Sequence, residues 1–134
     1  MIKAKILVVE DEVIVAMDIR QRLIRLGYEV VATVRTGEEA IKWATETRPD
    51  LVLMDILLAG AIDGIDAARE IMSRLKIPVI YVTSYSDETT VFRAKLTEPF
   101  GYMLKPIEEG ELKSVIEFRL HRHSMELKAE QRAL

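Results

Sequence analysis

Apolar and polar positions alternate along this chain in two rhythms. Short runs rich in apolar and β-branched residues, at Ile6 to Val9, Glu29 to Val34, Leu51 to Met54, Val79 to Thr83 and Phe100 to Leu104, predict five strands. Between them the spacing turns helical. Val13, Ala16, Met17, Ile19, Leu23, Ile24 and Leu26 project onto one broad arc, while Asp18, Gln21, Arg22 and Arg25 share the other side. Gly27 stops this first helix, as glycine does just past a helix end. Thr36 and Glu39 have capping-box spacing at the start of a second helix, which Arg48-Pro49 closes. Asp63 or Gly64 opens a third that ends near Lys76 before Pro78, Ser86 is expected to cap a fourth, and a fifth starts around Glu108.

Strand and helix alternating five times describe an α/β domain whose parallel sheet is covered on both faces. At 134 residues the chain has the size of one domain and can bury a real core. No internal repeat, low-complexity segment or linker precedes residue 112. Apolar residues at 49% and charged residues at 31% exclude a disordered chain. The net charge of −3 argues against nucleic acid as the main partner. With no cysteine, disulfides, thiolate metal sites and cysteine nucleophiles are excluded. The N-terminal apolar run is too short for a signal peptide and no segment is long enough to span a bilayer, so a cytoplasmic protein without a membrane anchor is expected.

Ligands of an open doubly wound sheet bind outside the carboxyl ends of its strands. Here those ends carry Glu10-Asp11, Asp55, Thr83-Ser84 and, after Leu104, Lys105-Pro106. Asp55 is the telling one, because a carboxylate closing the apolar run Leu51 to Met54 needs either an exposed strand end or a cation. Two or three carboxylates held together raise one another's pKa unless a cation compensates, and a few hard oxygen ligands suit Mg²⁺. A lysine and a hydroxyl are what the remaining oxygens of a phosphoryl group need. A carboxylate beside a metal and a lysine can itself be the nucleophile, and Asp55 fits that role best. Glu10 and Asp11 have a plainer alternative as helix caps, Thr83 as a strand residue and Lys105 as a solvated charge.

The motifs VVEDE, LVLMD followed by IDG, YVTS and GYMLKP resemble, in order and spacing, the receiver domain of two-component response regulators, over residues 5 to about 120. The resemblance implies a flavodoxin-like sheet of strand order 2-1-3-4-5. It implies that Asp55 accepts a phosphoryl group from a sensor histidine kinase or phosphotransfer protein. Asp11 and Asp55 would bind Mg²⁺ directly, the backbone carbonyl of Leu57 would be a third ligand, and Glu10 would act through water. Lys105 would pair with the phosphoryl oxygens, Thr83 would swing to hydrogen-bond them, and Tyr102 would rotate into the vacated space. Lys105-Pro106 would be a cis peptide that aims the lysine. The face of the fourth helix and fifth strand would report the switch. The chain would be no enzyme beyond catalysing its own phosphorylation and dephosphorylation.

Two departures stand out. The loop after Asp55 reads ILLAGAIDG, without a proline and with Asp63 eight residues on, one more than usual, and Gly60 should let it reshape easily. The acidic pair is Glu10-Asp11 rather than two aspartates. Leu57 and Tyr85, each two residues past a site residue, are bulky and cannot act as bases, which predicts slow self-dephosphorylation. His121 and His123 lie far from the rim and are expected to be solvated.

The receiver is expected over residues 1–120, with a helical extension over 121–134. Leu120, Leu127 and Leu134 fall at heptad spacing, but three leucines do not make a coiled coil, so a solvated extension and a dimerising or signal-transmitting helix both stand. A homodimer through that helix or through the fourth-helix and fifth-strand face is one expected assembly. The alternatives to a phosphoacceptor switch are an input module cut from a larger signalling protein, such as a kinase, PAS or cyclase, and a phosphorylation-independent interaction domain. A phosphatase acting on outside substrates is disfavoured, because no second acid follows Asp55 two residues on. No basic recognition segment suggests a DNA-binding output.

Overall fold

The computed structural model of the chain describes residues 3–58, 60–83 and 102–133. Five parallel strands, β1 (Lys5–Val9), β2 (Glu29–Val34), β3 (Leu51–Met54), β4 (Val79–Thr83) and β5 (Tyr102–Leu104), form one sheet in the order β2-β1-β3-β4-β5. The helices are α1 (Val13–Arg25), α2 (Gly37–Thr47), α3 (Gly64–Glu70) and α4 (Glu109–Ala133). The helix expected from Ser86 lies outside the described residues, so the described helices number four where the sequence predicts five.

Alternation along each strand divides the core. Leu7, Val9, Val52, Met54, Val79 and Tyr81 point to one face, where Ala40 and Ala44 of α2 and Ile65, Ala68 and Ile71 of the α3 segment cover them. Ile6, Val8, Leu51, Leu53, Ile80, Val82 and Met103 point to the other, beneath Ile19 and Leu23 of α1 and Leu112 and Ile116 of α4. All four residues of β3 are buried, as its unbroken apolar run requires of a strand covered on both faces. The register is regular except for an irregularity between Ile6 and Leu7 where β1 pairs with β2.

The local signals act as their chemistry dictates. Thr36 caps α2, its Oγ1 accepting the Glu39 N–H at 3.1 Å. Asp63 caps α3, accepting the Asp66 N–H at 2.9 Å. Gly27 takes φ +95° after α1, and Arg48 ends α2 in the left-handed region at φ 48°. Two details differ from the expected elements. Of the broad apolar arc of α1 only Ala16, Ile19 and Leu23 are buried, whereas Val13, Met17 and Ile24 are more than half exposed. A helix on one sheet face meets it along a stripe narrower than that arc. The third helix turns into a π-helical turn, Ile71–Leu75, before Lys76 stops it at φ 58°. Phe100 and Gly101 of the expected fifth strand lie outside the described residues.

The C-terminal helix runs unbroken to Ala133, continuing past residue 120 as the expected helical extension. It is not wholly solvated. Leu120, His123 and Leu127 line a crevice with Lys3, Ala4 and Asp50, at the end of the sheet opposite the acidic rim. Arg119 is buried, and its guanidinium pKa falls to about 10 through loss of hydration, with Glu126, 3.9 Å away, opposing the shift. His123 is half-buried, contrary to the expected solvation, and its pKa is lowered first by burial and then by Arg119, whereas His121 is exposed.

Candidate phosphoacceptor site

Parallel strands deliver their last residues to one edge, so β1, β3 and the segment after β5 bring residues 10, 55 and 105 together across long stretches of chain. The backbone fixes the first two. The Asp55 N–H donates to the Val9 carbonyl at 3.0 Å and the Glu10 N–H to the Val34 carbonyl at 2.9 Å. Glu10 is 2% exposed and Asp55 7%, so two carboxylates are nearly withdrawn from water. Lys105 follows β5 and leads into the Lys105-Pro106 peptide, which is cis as expected. Its Nζ donates to Glu10 Oε1 and, at 3.3 Å, to Asp55 Oδ2. With Asp55 this buried, the ammonium is the cation that the sequence offered as the alternative to an exposed strand end.

One charge does not balance three. Carboxylate oxygens of Glu10, Asp11 and Asp55 lie within 4.8 Å of one another. Burial, followed by the neighbouring Asp55, raises the Glu10 pKa despite the lysine. Burial opposes the charged form of Lys105, yet the Glu10 hydrogen bond and the charges of Asp55 and Glu10 outweigh it and raise the pKa of the ammonium. The rim therefore holds excess negative potential, and its donors are all hard oxygens. That set fits a divalent cation of the Mg²⁺ type.

Leu57 sits beside these acids, its N–H donating to Asp55 Oδ1 at 3.3 Å and its side chain 52% exposed. Thr83 ends β4 in register with Leu104, but the role expected of its hydroxyl lies outside what the structure describes. Tyr102 opens β5 opposite Tyr81 and packs, partly buried, on the core. Ser84 and Tyr85 lie outside the described residues. The capping alternative for Glu10 and Asp11 is not what α1 uses: its N-cap is Glu12, without a side-chain cap, and Glu10 reaches only the Glu12 N–H at 3.5 Å.

The family model described as the response regulator receiver domain matches residues 6–117, the span that carries this rim and its sheet. The chain belongs to that family. As a receiver domain it is similar to the transcriptional regulatory protein PdtaR of Mycobacterium tuberculosis, 36% identical over 118 residues, which are 88% of this chain and 57% of that protein. Among solved structures it is similar to the signal receiver domain of a modulated diguanylate cyclase from Desulfovibrio desulfuricans G20, with TM-score 0.90 and 38% identity over 93% of this chain and 99% of that one. The N-terminal domain of a response regulator/sensory box/GGDEF three-domain protein from Carboxydothermus hydrogenoformans is 31% identical, with TM-score 0.83, over 92% of this chain and 98% of that one. The receiver spans about half the length of the curated relatives it matches.

Two features of this receiver domain were not legible in its sequence. A groove of about 600 Å³ runs beside Lys105, between Ile14, Val15 and Ile19 of α1 and Pro106 and Ile107, with Ile14 84% exposed. The apolar excess of α1 was the available signal, spent in the reading on the core. The second is an anchor on the loop after Asp55: Glu38 Oε1 accepts the N–H groups of Ala61 (2.9 Å) and Ile62 (3.1 Å). Among the described residues no helix is long and apolar enough to cross a membrane.

Proposed function

We propose that Asp55 is the phosphoacceptor of this receiver, taking a phosphoryl group from a phosphohistidine on a sensor histidine kinase or phosphotransfer protein. The observation that carries the reading is the convergence of Asp55, Glu10, Asp11 and Lys105 on one strand-end rim. An Asp55 carboxylate oxygen attacks phosphorus in line. The new O–P bond forms as the N–P bond breaks, and the electron pair returns to the imidazole nitrogen of the donor. Lys105 already points its ammonium at Asp55 and offsets charge on the transferred oxygens without reorganising. Asp11 and Asp55, with the Leu57 carbonyl and Glu10 through water, would hold Mg²⁺, which supplies the remaining neutralisation when bound.

Thr83 and Tyr102 serve as the switch pair that couples the phosphoryl group to the outer face of the sheet. The apolar groove beside Lys105, with Ile14 exposed on its wall, offers the donor protein a surface next to the acceptor. The chain catalyses only its own phosphorylation and dephosphorylation. Leu57 at the rim and, by its place in the sequence, Tyr85 are bulky residues that cannot act as a base, which favours a long-lived aspartyl phosphate. Replacing either residue by a smaller polar one should speed its loss, and unchanged decay would refute this point.

Intact mass after incubation with Mg²⁺ and an acyl phosphate tests the reading. The expected result is a gain of one phosphoryl group that disappears in Asp55→Asn and without metal. A gain retained in Asp55→Asn would remove Asp55 as acceptor, and a wild-type protein that neither gains the group nor binds Mg²⁺ would leave a phosphorylation-independent interaction domain. A second reading, input module of a larger signalling protein, is favoured by the unbroken reach of α4 to Ala133 and by similarity to receivers from multidomain cyclase-type proteins.

A further inference from the structure

The loop from Asp55 to α3 carries a glycine, Gly60, and no proline, which on sequence grounds should make it slack. The structure holds it at both ends. At the acceptor end, the Leu57 N–H reaches Asp55 Oδ1 (3.3 Å) and the Gly64 N–H donates to the Ile56 carbonyl (2.8 Å). At the far end a single oxygen, Oε1 of Glu38, takes the consecutive N–H groups of Ala61 and Ile62. Glu38 stands in the first turn of α2, where the helix end favours a carboxylate.

The fit between loop and glutamate is reciprocal. Gly60 adopts φ +105°, and a Cβ there would lie 2.7 Å from Glu38 Oε2, so this position accepts only a residue without a side chain while the carboxylate stays in place. Gly37 lets the start of α2 approach Ile62 closely, since a Cβ on it would meet Ile62 Cγ1 at 2.7 Å. The Glu38 pKa is lowered, first by the hydrogen bond from its own backbone N–H, with desolvation opposing the shift, and then by the hydrogen bonds from Ile62 and Ala61.

We propose that Glu38 is a positioning residue for the acceptor site, pinning the long β3–α3 loop so that Leu57, whose carbonyl the phosphoacceptor reading assigns to Mg²⁺, stays in place beside Asp55. The inference rests on the receiver reading above and adds a residue on a different element. An acceptor oxygen at position 38 is the requirement, and negative charge is secondary, because backbone N–H groups need only an acceptor.

The test is Mg²⁺ binding, followed through backbone amide resonances, in wild type, Glu38→Ala, Glu38→Gln and the exposed control Glu46→Ala. Glu38→Ala should move the Ala61 and Ile62 amide signals and weaken Mg²⁺ about three- to tenfold, less than the roughly 10–100-fold typical of residues touching a ligand directly. Glu38→Gln, which keeps a carbonyl acceptor, should recover most of that loss, and Glu46→Ala should bind as wild type. Wild-type Mg²⁺ affinity in a folded Glu38→Ala overturns the inference and leaves the receiver reading intact. A Glu38→Gln as weak as Glu38→Ala also overturns it, since the effect would then be charge. No Mg²⁺ binding by wild type overturns the phosphoacceptor reading and this inference together. Should Glu38→Ala fail to fold, Gly60→Ala loosens the same anchor from the loop side and must weaken Mg²⁺ similarly, with wild-type affinity there refuting the proposal.

Discussion

Gly64 offers the sharpest mutational test of how the acceptor is held. A Cβ built on it would lie 1.9 Å from the Asp55 carbonyl oxygen, 2.8 Å from the Asp55 carbonyl carbon and 2.9 Å from Ile56 Cα. All three neighbours are backbone, so no side chain can swing aside. In Gly64→Ala the first turn of α3 and the end of β3 must separate by more than about 1 Å, which breaks the 2.8 Å hydrogen bond from Gly64 N–H to the Ile56 carbonyl. Overpacking of this kind plus a lost buried hydrogen bond costs about 2–4 kcal/mol. Asp55 moves with its carbonyl, and a displacement near 1 Å at a reacting group costs about a hundredfold in rate. Urea unfolding and the rate of mass gain with acyl phosphate read the two effects separately. Gly110→Ala is the control: nothing lies within 4 Å of a Cβ in the first turn of α4, so the same chemical change should stabilise by about 0.5 kcal/mol. A Gly64→Ala protein within about 0.5 kcal/mol of wild type and phosphorylated at the wild-type rate would refute the reasoning.

Removing the lysine leaves Glu10 and Asp55 facing each other without their cation, so Lys105→Met should lower metal-free stability by about 3 kcal/mol at neutral pH, with part of the loss restored by Mg²⁺ in urea titrations. Because the Glu10 pKa is raised, the folded protein holds that proton more tightly than the unfolded chain does. Metal-free stability should therefore rise as pH falls from the raised value toward 4.5, Mg²⁺ affinity should fall over the same window, and Glu10→Gln should abolish both slopes in urea midpoints and metal titrations. The two sides of α4 should answer differently to truncation. Ile116→Ala, fully buried, should cost about 2–5 kcal/mol, whereas Phe118→Ala, 64% exposed, should stay within about 0.5 kcal/mol in calorimetry.

The strands were legible because a parallel strand covered on both faces must be apolar at every position, as Leu51 to Met54 are. The helix ends were legible because Thr36, Asp63 and Gly27 act on backbone groups within a few residues of themselves. Asp55 and Lys105 could be singled out because a charge at the end of an apolar run is costly unless something distant compensates.

What escaped the sequence depends on distances between elements. Val13, Met17 and Ile24 share an apolar arc with Ile19 and Leu23, and only the narrow stripe along which α1 meets the sheet leaves them exposed. Glu38 reads as an ordinary first-turn acid of α2 until the fold lays the Ala61 and Ile62 N–H groups against it, 23 and 24 residues away. For the tail, a solvated extension and an oligomerising helix both stood on sequence, and only the fold shows that Leu120 and His123 share a crevice with Lys3, Ala4 and Asp50. The sequence by itself determined the alternation of strands and helices and which residues close each strand, because those follow from local periodicity and charge burial. Tertiary structure alone decided how the acids share one lysine, which apolar residues stay exposed and what holds the loop, because each of these depends on the separation of groups far apart in the chain.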